Sequence, residues 1–343
     1  MLLFDPKWWR ARVVVLALAS AVSVPVLAAG SLTGTGSTWV YPLVAQWSAA
    51  YASQTGIQVN YQSIGSGGGI AQIEAGTVAF GASDKPLTPE VLRQHQLIQF
   101  PTAIAGEDIV YNVPGVSPGQ LVLSGPLIVD IFMGKVKKWN DPAIARLNPH
   151  LALPNMSISV IHRSDGSGTT FTFANYLSKV SPQWKAKVGA DTAIAWPTGF
   201  GGKGNEGVAA YVQRIRGSIG YVEYAYILEN RMSYARLING AGRVVSPSLE
   251  GFQAAAANVD FTKAQDFYVI LTDQPGADSW PISGCTWQML RTNAPKAVNQ
   301  AVTRFFLWGF EHGQEMAKSI AFGPLPPSTI EAIQTYWKQR LGI

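Results

Sequence analysis

Two hydrophobic rhythms alternate along the chain. Short β-branched or apolar runs at 57–61, 77–82, 108–113 and 157–162 read as strands. Between them, Val40, Leu43, Val44, Trp47 and Tyr51 recur at the spacing that lines one side of a helix, and Phe173, Tyr176, Leu177 and Val180 do the same. Thr88 followed by Pro89 marks another helix start, because proline at the first helical position lacks only an NH that has no partner there anyway. Strands alternating with helices predict an α/β architecture. No internal repeat or low-complexity linker breaks the pattern, so two domains would be joined by short ordered crossings.

The first 28 residues stand apart from this pattern. Lys7, Arg10 and Arg12 precede an apolar run at 13–27 that is broken late by Pro25, and the small residues Val26 and Ala28 suit cleavage. The run falls short of the ~20 residues that span a bilayer, so a cleaved export signal is expected rather than an anchor, with the mature chain beginning at Ala29. No Cys lies near the cleavage point for acylation, and no later segment is apolar enough to cross a membrane. The mature protein is therefore expected free in the periplasm. Of 343 residues, 315 remain, which suits about two domains of ~150 residues.

Composition narrows the classes. Charged residues make up only 14% against a usual ~25%, while 47% are apolar, which excludes a disordered chain. Removing Lys7, Arg10, Arg12 and Asp5 with the signal leaves 23 basic against 20 acidic residues, too even for a nucleic-acid binder. Cys285 is the only cysteine, so no internal disulfide forms and stability rests on packing. The 34 glycines point to tight turns or backbone-lined sites.

Three stretches carry candidate chemistry: Thr35-Gly36-Ser37-Thr38-Trp39, Gly65-Ser66-Gly67-Gly68-Gly69 and Asp165-Gly166-Ser167-Gly168-Thr169, each just before a helical pattern. A helix N-terminus offers unpaired NH donors, glycine lets a ligand approach the backbone, and Ser or Thr adds a hydroxyl. Any one stretch could be a capped helix after a turn; three together suit a tetrahedral oxyanion. Arg163 ends an apparent strand two residues before Asp165, so its guanidinium could grip two oxygens while Asp165 holds the fork, or the two could be a surface ion pair. Asp84 follows the strand at 77–82. It could only shape the turn before Pro86, but a carboxylate facing a bound anion requires a proton between them. Phosphate keeps a proton near neutral pH and sulfate does not, so an acceptor-only carboxylate admits one and rejects the other.

At these residues the chain resembles the periplasmic phosphate-binding proteins of bacterial phosphate ABC transporters, of the type II periplasmic binding protein family. The resemblance is carried by the runs 32–38, 60–66, 80–84, 163–169, 201–205 and 220–224, and spans nearly the whole mature chain. It implies a two-lobed α/β clamshell, each lobe a mixed sheet flanked by helices, with 29–112 and 286–343 forming one lobe, 113–285 the other, and crossings near 109–113 and 281–285. It further implies that inorganic phosphate is held by Thr38, the Trp39 NH, Ser66, Ser167, the NH groups of Gly168 and Thr169, Arg163, and Asp84 as proton acceptor, with Asp165 in support. The implied partners are the permease subunits of an inner-membrane ABC transporter; the protein would be a monomer without cofactor, metal or catalysis. Trp39 stands where phenylalanine is usual, and Gly67 replaces a common serine. Lys85 stands where a small residue is usual: it could stabilise Asp84, draw anions to the cleft mouth, or lie solvated at a lobe surface.

Other patterns were weighed. Cys285 and Arg291 have the Cys-x5-Arg spacing of cysteine phosphatases, but the intervening residues are too bulky for a phosphate-wrapping loop. In 199–205, Gly204 follows Lys203 where a P-loop needs Ser or Thr, and neither Ser66 nor Ser167 sits in Gly-x-Ser-x-Gly. His95, His150, His162 and His312 lack metal-ligand spacing, and the tryptophans read as packing. The rival functions are an exported phosphate-ester hydrolase, which would need a nucleophile or metal cluster, and a receptor for another oxyanion such as molybdate.

Overall fold

The computed structural model describes residues 31–343; the expected export signal at 1–28 and the cleavage before Ala29 lie outside the described residues. Strands β1 (Ser31–Gly36), β2 (Gln58–Ser63) and β3 (Phe80–Ser83) pair in parallel, with β1 in the middle, and helices α1 (Tyr41–Thr55) and α2 (Ser66–Ala75) connect them. The expected stripe on α1 is its buried side, where Leu43, Val44, Trp47 and Tyr51 all pack inward. The helix stops at Gly56, whose φ of 74° glycine adopts without strain. Thr88 caps the helix Pro89–Gln94 by accepting from the Val91 NH, as the Thr-Pro pair predicts.

The fifteen-residue strand β4 (Leu97–Tyr111) organises the molecule. Its first part, Leu97–Gly106, pairs antiparallel with the strand Ser283–Arg291, which also pairs with β3; its last part, Glu107–Tyr111, pairs with Ser218–Glu223. Beyond Ser218–Glu223 lie the parallel strands Ser159–Arg163 and Phe200–Gly202. One sheet thus continues from β2 to Phe200–Gly202 through a shared strand, with helices on its faces, giving the mixed α/β, two-lobed architecture expected.

Strand limits differ from expectation for identifiable reasons. The pattern marks 108–113 as a strand, whereas β4 starts at Leu97. Every residue of β4 is buried, so no alternation of polar and apolar positions announces it. The strand expected at 77–82 begins only at Phe80, because Thr77 is held in a turn after α2 by its bonds to the Gln72 carbonyl. Trp39, Trp47, Trp139, Trp184, Trp280 and Trp287 are almost wholly buried, and so serve the core.

Candidate functional site

The ends of β1, β2 and Ser159–Arg163 deliver the three glycine-containing stretches to one place. Their convergence is visible in backbone contacts. The Gly67 NH donates to the Gly166 carbonyl, the Gly65 NH to Gly36, and a Cβ on Gly168 would lie 2.5 Å from both the Asp84 Oδ2 and the Ser66 Oγ. Only a residue without a side chain fits between those groups.

Asp84 sits at the end of β3 and is 2% exposed. Its carboxylate accepts hydroxyl bonds from Ser37 at 2.6 and 2.7 Å, from Thr286 at 2.5 Å and from Ser66 at 3.3 Å. Burial pushes its pKa up, while the hydroxyls of Ser37 and Thr286, the Arg163 charge and the Ser66 hydroxyl oppose the rise; the outcome is about 6. At neutral pH the group is therefore mainly an ionised acceptor.

Arg163, at the end of its strand, is 3% exposed. Its Nε and Nη2 donate to the two oxygens of Asp165 at 2.8 and 2.5 Å, and its Nη1 donates to the Thr169 hydroxyl at 3.0 Å. Burial raises the Asp165 carboxyl, but the Arg163 bonds and charge and the Gly204 NH outweigh it and hold Asp165 below the usual range. The same partnership outweighs burial at Arg163 and keeps the guanidinium charged. Asp165 thus orients the guanidinium fork, an arrangement seen here as a buried pair rather than a surface one.

The donors follow from helix ends. Helices α1 and α2 begin without a side-chain cap, which leaves first-turn NH groups for other acceptors. Ser167 caps the helix Gly168–Val180 by accepting from the Thr170 NH at 3.0 Å, so its own hydroxyl hydrogen is free to donate, and Gly168 and Thr169 open the helix. The Trp39 NH donates to the Ser37 Oγ at 3.0 Å, and the indole packs over Gly284. The Thr38 hydroxyl accepts from the Asn205 amide at 2.9 Å, and its carbonyl accepts from the Tyr226 hydroxyl at 2.7 Å. All eight expected ligand residues are therefore gathered here, Ser66 and Gly168 against Asp84, Thr169 against Arg163, and Thr38 bound across from Asn205.

Several residues of the site carry no role in the sequence reading. Ser37 lies inside the first glycine stretch but is overshadowed by Thr38. Thr286 has no sequence signal at all: antiparallel pairing of Trp287 with Ser83 sets it opposite Asp84, to which its hydroxyl donates. Asn205 and Tyr221 fall in stretches quoted for the resemblance. Asn205 fixes Thr38, and the Tyr221 hydroxyl accepts from the Arg163 NH. Gly204 and Asn205, from the stretch set aside as a nucleotide loop, thus support the cage. Lys85 bonds Asp191 at 2.7 Å and lies 5.7 Å from the centre of the Phe171 ring, so its charge pairs across the cleft mouth.

The rival chemistries find little support. Cys285 is fully buried, burial pushes its thiol up to about 12, and Cys285 and Arg291 lie on one extended strand, roughly 20 Å apart. Among the described residues no group of three His, Cys, Asp or Glu is placed to hold a metal. A cavity of about 520 Å³ between α1 and the helix Tyr224–Asn230 is walled by Glu206 and Glu229 with no basic side chain, which disfavours an anion.

A family model described as a PBP superfamily domain matches residues 25–308. The phosphate-binding protein PstS of Xylella fastidiosa (strain 9a5c) is 53% identical to this chain over 307 residues, covering 89% of this chain and 84% of that protein. The PstS of Pasteurella multocida is 51% identical over 328 residues, covering 95% of each. Among solved structures, a putative phosphate ABC transporter substrate-binding protein with bound phosphate from Clostridium perfringens aligns with a TM-score of 0.63 at 18% identity, covering 87% of this chain and all of that one. A high-affinity periplasmic phosphate-binding protein (PfluDING) bound with phosphate aligns with a TM-score of 0.71 at 18% identity, covering 89% and 93%.

Proposed function

The chain belongs to the PBP superfamily and, within it, to the phosphate-binding proteins named PstS; on that premise we propose that it captures inorganic phosphate between its two lobes and delivers it to an ABC transporter. The finer reading is that 29–112 with 286–343 form one lobe and 113–285 the other, that export follows cleavage of 1–28, and that a monomer works in the periplasm with the permease subunits of an inner-membrane transporter. It performs no bond-breaking step. In this reading Thr38 donates through hydroxyl and backbone, Ser66 through its backbone NH and, on turning from Asp84, its hydroxyl, and Ser167 through its hydroxyl and, on exchanging the Thr192 carbonyl for the ligand, its backbone NH. Gly168 and Thr169 donate their NH groups, and Arg163, steadied by Asp165, grips two oxygens. The Trp39 NH exchanges Ser37 for the ligand. Closure excludes water, which strengthens each of these bonds and couples occupancy to the closed shape.

The observation that carries the reading is the Asp84 carboxylate: fully enclosed, ringed by hydroxyl donors and ionised at neutral pH, it can complete its bonding to an oxyanion only by accepting a proton from it. Phosphate supplies that proton. Sulfate has no proton to share, so its oxygen would face the carboxylate charge directly, and sites of this type discriminate by roughly 10⁴ to 10⁵. Calorimetric titration of the purified protein with phosphate and sulfate at neutral pH tests this; comparable uptake of both defeats it. Asp84→Asn is expected to admit sulfate, since an amide can donate to a fully ionised anion. A colourimetric ester-cleavage assay separates the receptor from a hydrolase, and turnover would overturn the non-catalytic reading.

A further inference from the structure

Two carboxylates in the floor of the cleft take no part in the cage. Strand β4 carries Gly106, Glu107 and Asp108 where it leaves the ladder with Ser283–Arg291 and joins the one with Ser218–Glu223. Successive side chains on a strand point to opposite faces. A Cβ on Gly106 would run into the Phe252 ring of the helix Leu249–Ala256, so position 106 faces that helix and Glu107 faces away from it. Ala105, on the same face as Glu107, is paired with Gly284, and a Cβ on Gly284 would meet the Trp39 indole. Glu107 therefore lies on the side of the oxyanion cage. Its partner directly across the strands is Glu223.

Both side chains are fully buried. Neither oxygen of Glu107 has a hydrogen-bond partner; Glu223 accepts from the Ala225 NH at 2.9 Å through one oxygen, and its other oxygen has none. Like charges opposite each other on neighbouring strands repel, and a buried carboxylate without donors strongly resists ionisation. The surroundings reinforce this. Burial raises Glu107 most, Asp84, Asp108 and Glu223 add to the rise, and Arg163 opposes it. Burial likewise raises Glu223, with Asp108 and Asp84 adding and the NH groups of Ala225 and Tyr224 opposing. The Glu223 charge also acts on the Tyr226 hydroxyl, which donates to Glu206.

We propose that Glu107 and Glu223 form a proton-holding pair in the cleft floor, which must be neutral for the lobes to close over a phosphate dianion, so that phosphate capture takes up protons and weakens as the medium turns alkaline. The proposal rests on the phosphate reading above. The proton comes from the buffer and forms an O–H bond on a glutamate oxygen; no other covalent bond changes. With the lobes apart, water reaches the floor and the carboxyls ionise near their usual range; with the lobes closed they hold protons to much higher pH. Between those limits, each proton taken up lowers affinity tenfold per pH unit.

The test is calorimetry of phosphate binding at about pH 8.5, in buffers of different ionisation enthalpy, for the parent and Glu107→Gln. At that pH phosphate is already dibasic and Asp84 ionised, so neither masks the count. The parent is expected to take up about one proton more than Glu107→Gln, and its affinity to fall about tenfold more per pH unit from about pH 8 to about pH 9.5. Glu107→Val, which suits a strand and carries no proton, is expected to give the same flatter profile and guards against misfit of the amide. Equal proton uptake and parallel pH profiles in parent and variants would overturn the proton-holding pair while leaving the phosphate reading intact. A parent that binds no phosphate at neutral pH overturns both.

Discussion

Ser37→Ala removes one hydroxyl and tests how the Asp84 carboxylate is kept ionised. The hydroxyl donates to both carboxylate oxygens at 2.6 and 2.7 Å inside a site closed to water. A hydrogen bond to a charged acceptor contributes about 1.5–3 kcal/mol, and 1.36 kcal/mol corresponds to one pH unit of midpoint, so losing it raises the Asp84 midpoint by about 1–2 pH units. Because a single hydrogen is shared between two oxygens, the lower figure applies. Asp84 starts from about 6, so a rise of about 1 pH unit takes it through neutrality. The sign is fixed: at about pH 6.5 the parent carboxyl is mostly ionised and the variant mostly protonated, whereas at about pH 8.5 both are ionised. A protonated Asp84 cannot accept the phosphate proton. The phosphate affinity, measured by calorimetry, is therefore expected to fall about threefold in Ser37→Ala at pH ~6.5, where the ionised share drops from about three quarters to about one quarter, and to recover at pH ~8.5, while Ser37→Thr retains the parent affinity at both. A phosphate affinity lowered equally at the two pH values, or not lowered at either, would refute the assignment of Ser37 as the donor that holds Asp84 charged.

Other outcomes follow from the same geometry. Gly168→Ala would place a methyl group 2.5 Å from Asp84 Oδ2 and Ser66 Oγ, and is expected to weaken phosphate binding by about 10- to 100-fold with little change in the unfolding midpoint; unchanged affinity would show that the lobes close differently with ligand. Asp84→Asn has a second readout besides selectivity. The folded carboxyl titrates near 6, above its unfolded value, so the parent without ligand loses up to ~3 kcal/mol as pH rises from about 4 through about 6, and the variant is expected to lose none of it in pH-dependent thermal unfolding. The Lys85–Asp191 pair at the cleft mouth is partly exposed, 28% and 56%, so Lys85→Ala is expected to lower phosphate affinity by less than about fivefold, with the difference vanishing in high salt. A large change in selectivity in Lys85→Ala would instead tie the lysine to Asp84.

The legibility of the site in the sequence varied with how local its chemistry is. Thr38, Ser66, Ser167, Gly168 and Thr169 belong to contiguous glycine-containing stretches at helix starts, where the unpaired NH groups are a property of the local backbone. Arg163 and Asp165 are two residues apart, so their pairing is also local. Thr286 is 202 positions from Asp84 and reaches it only because its strand pairs antiparallel with β3. Asn205 meets Thr38 across 167 positions, and nothing in its own neighbourhood announces the contact. The same holds for Lys85, whose partner Asp191 lies on a distant loop.

Periodicity and helix-start chemistry were enough to predict an α/β chain and to single out three glycine-containing stretches with NH and hydroxyl donors, because those features depend on neighbours a few residues apart. The full length of β4, the donors that set the state of Asp84, and the facing carboxylates Glu107 and Glu223 emerged only once the strands were brought together. A strand buried on both faces carries no alternating pattern, and the ionisation of a buried group is decided by which distant charges and donors the fold places beside it.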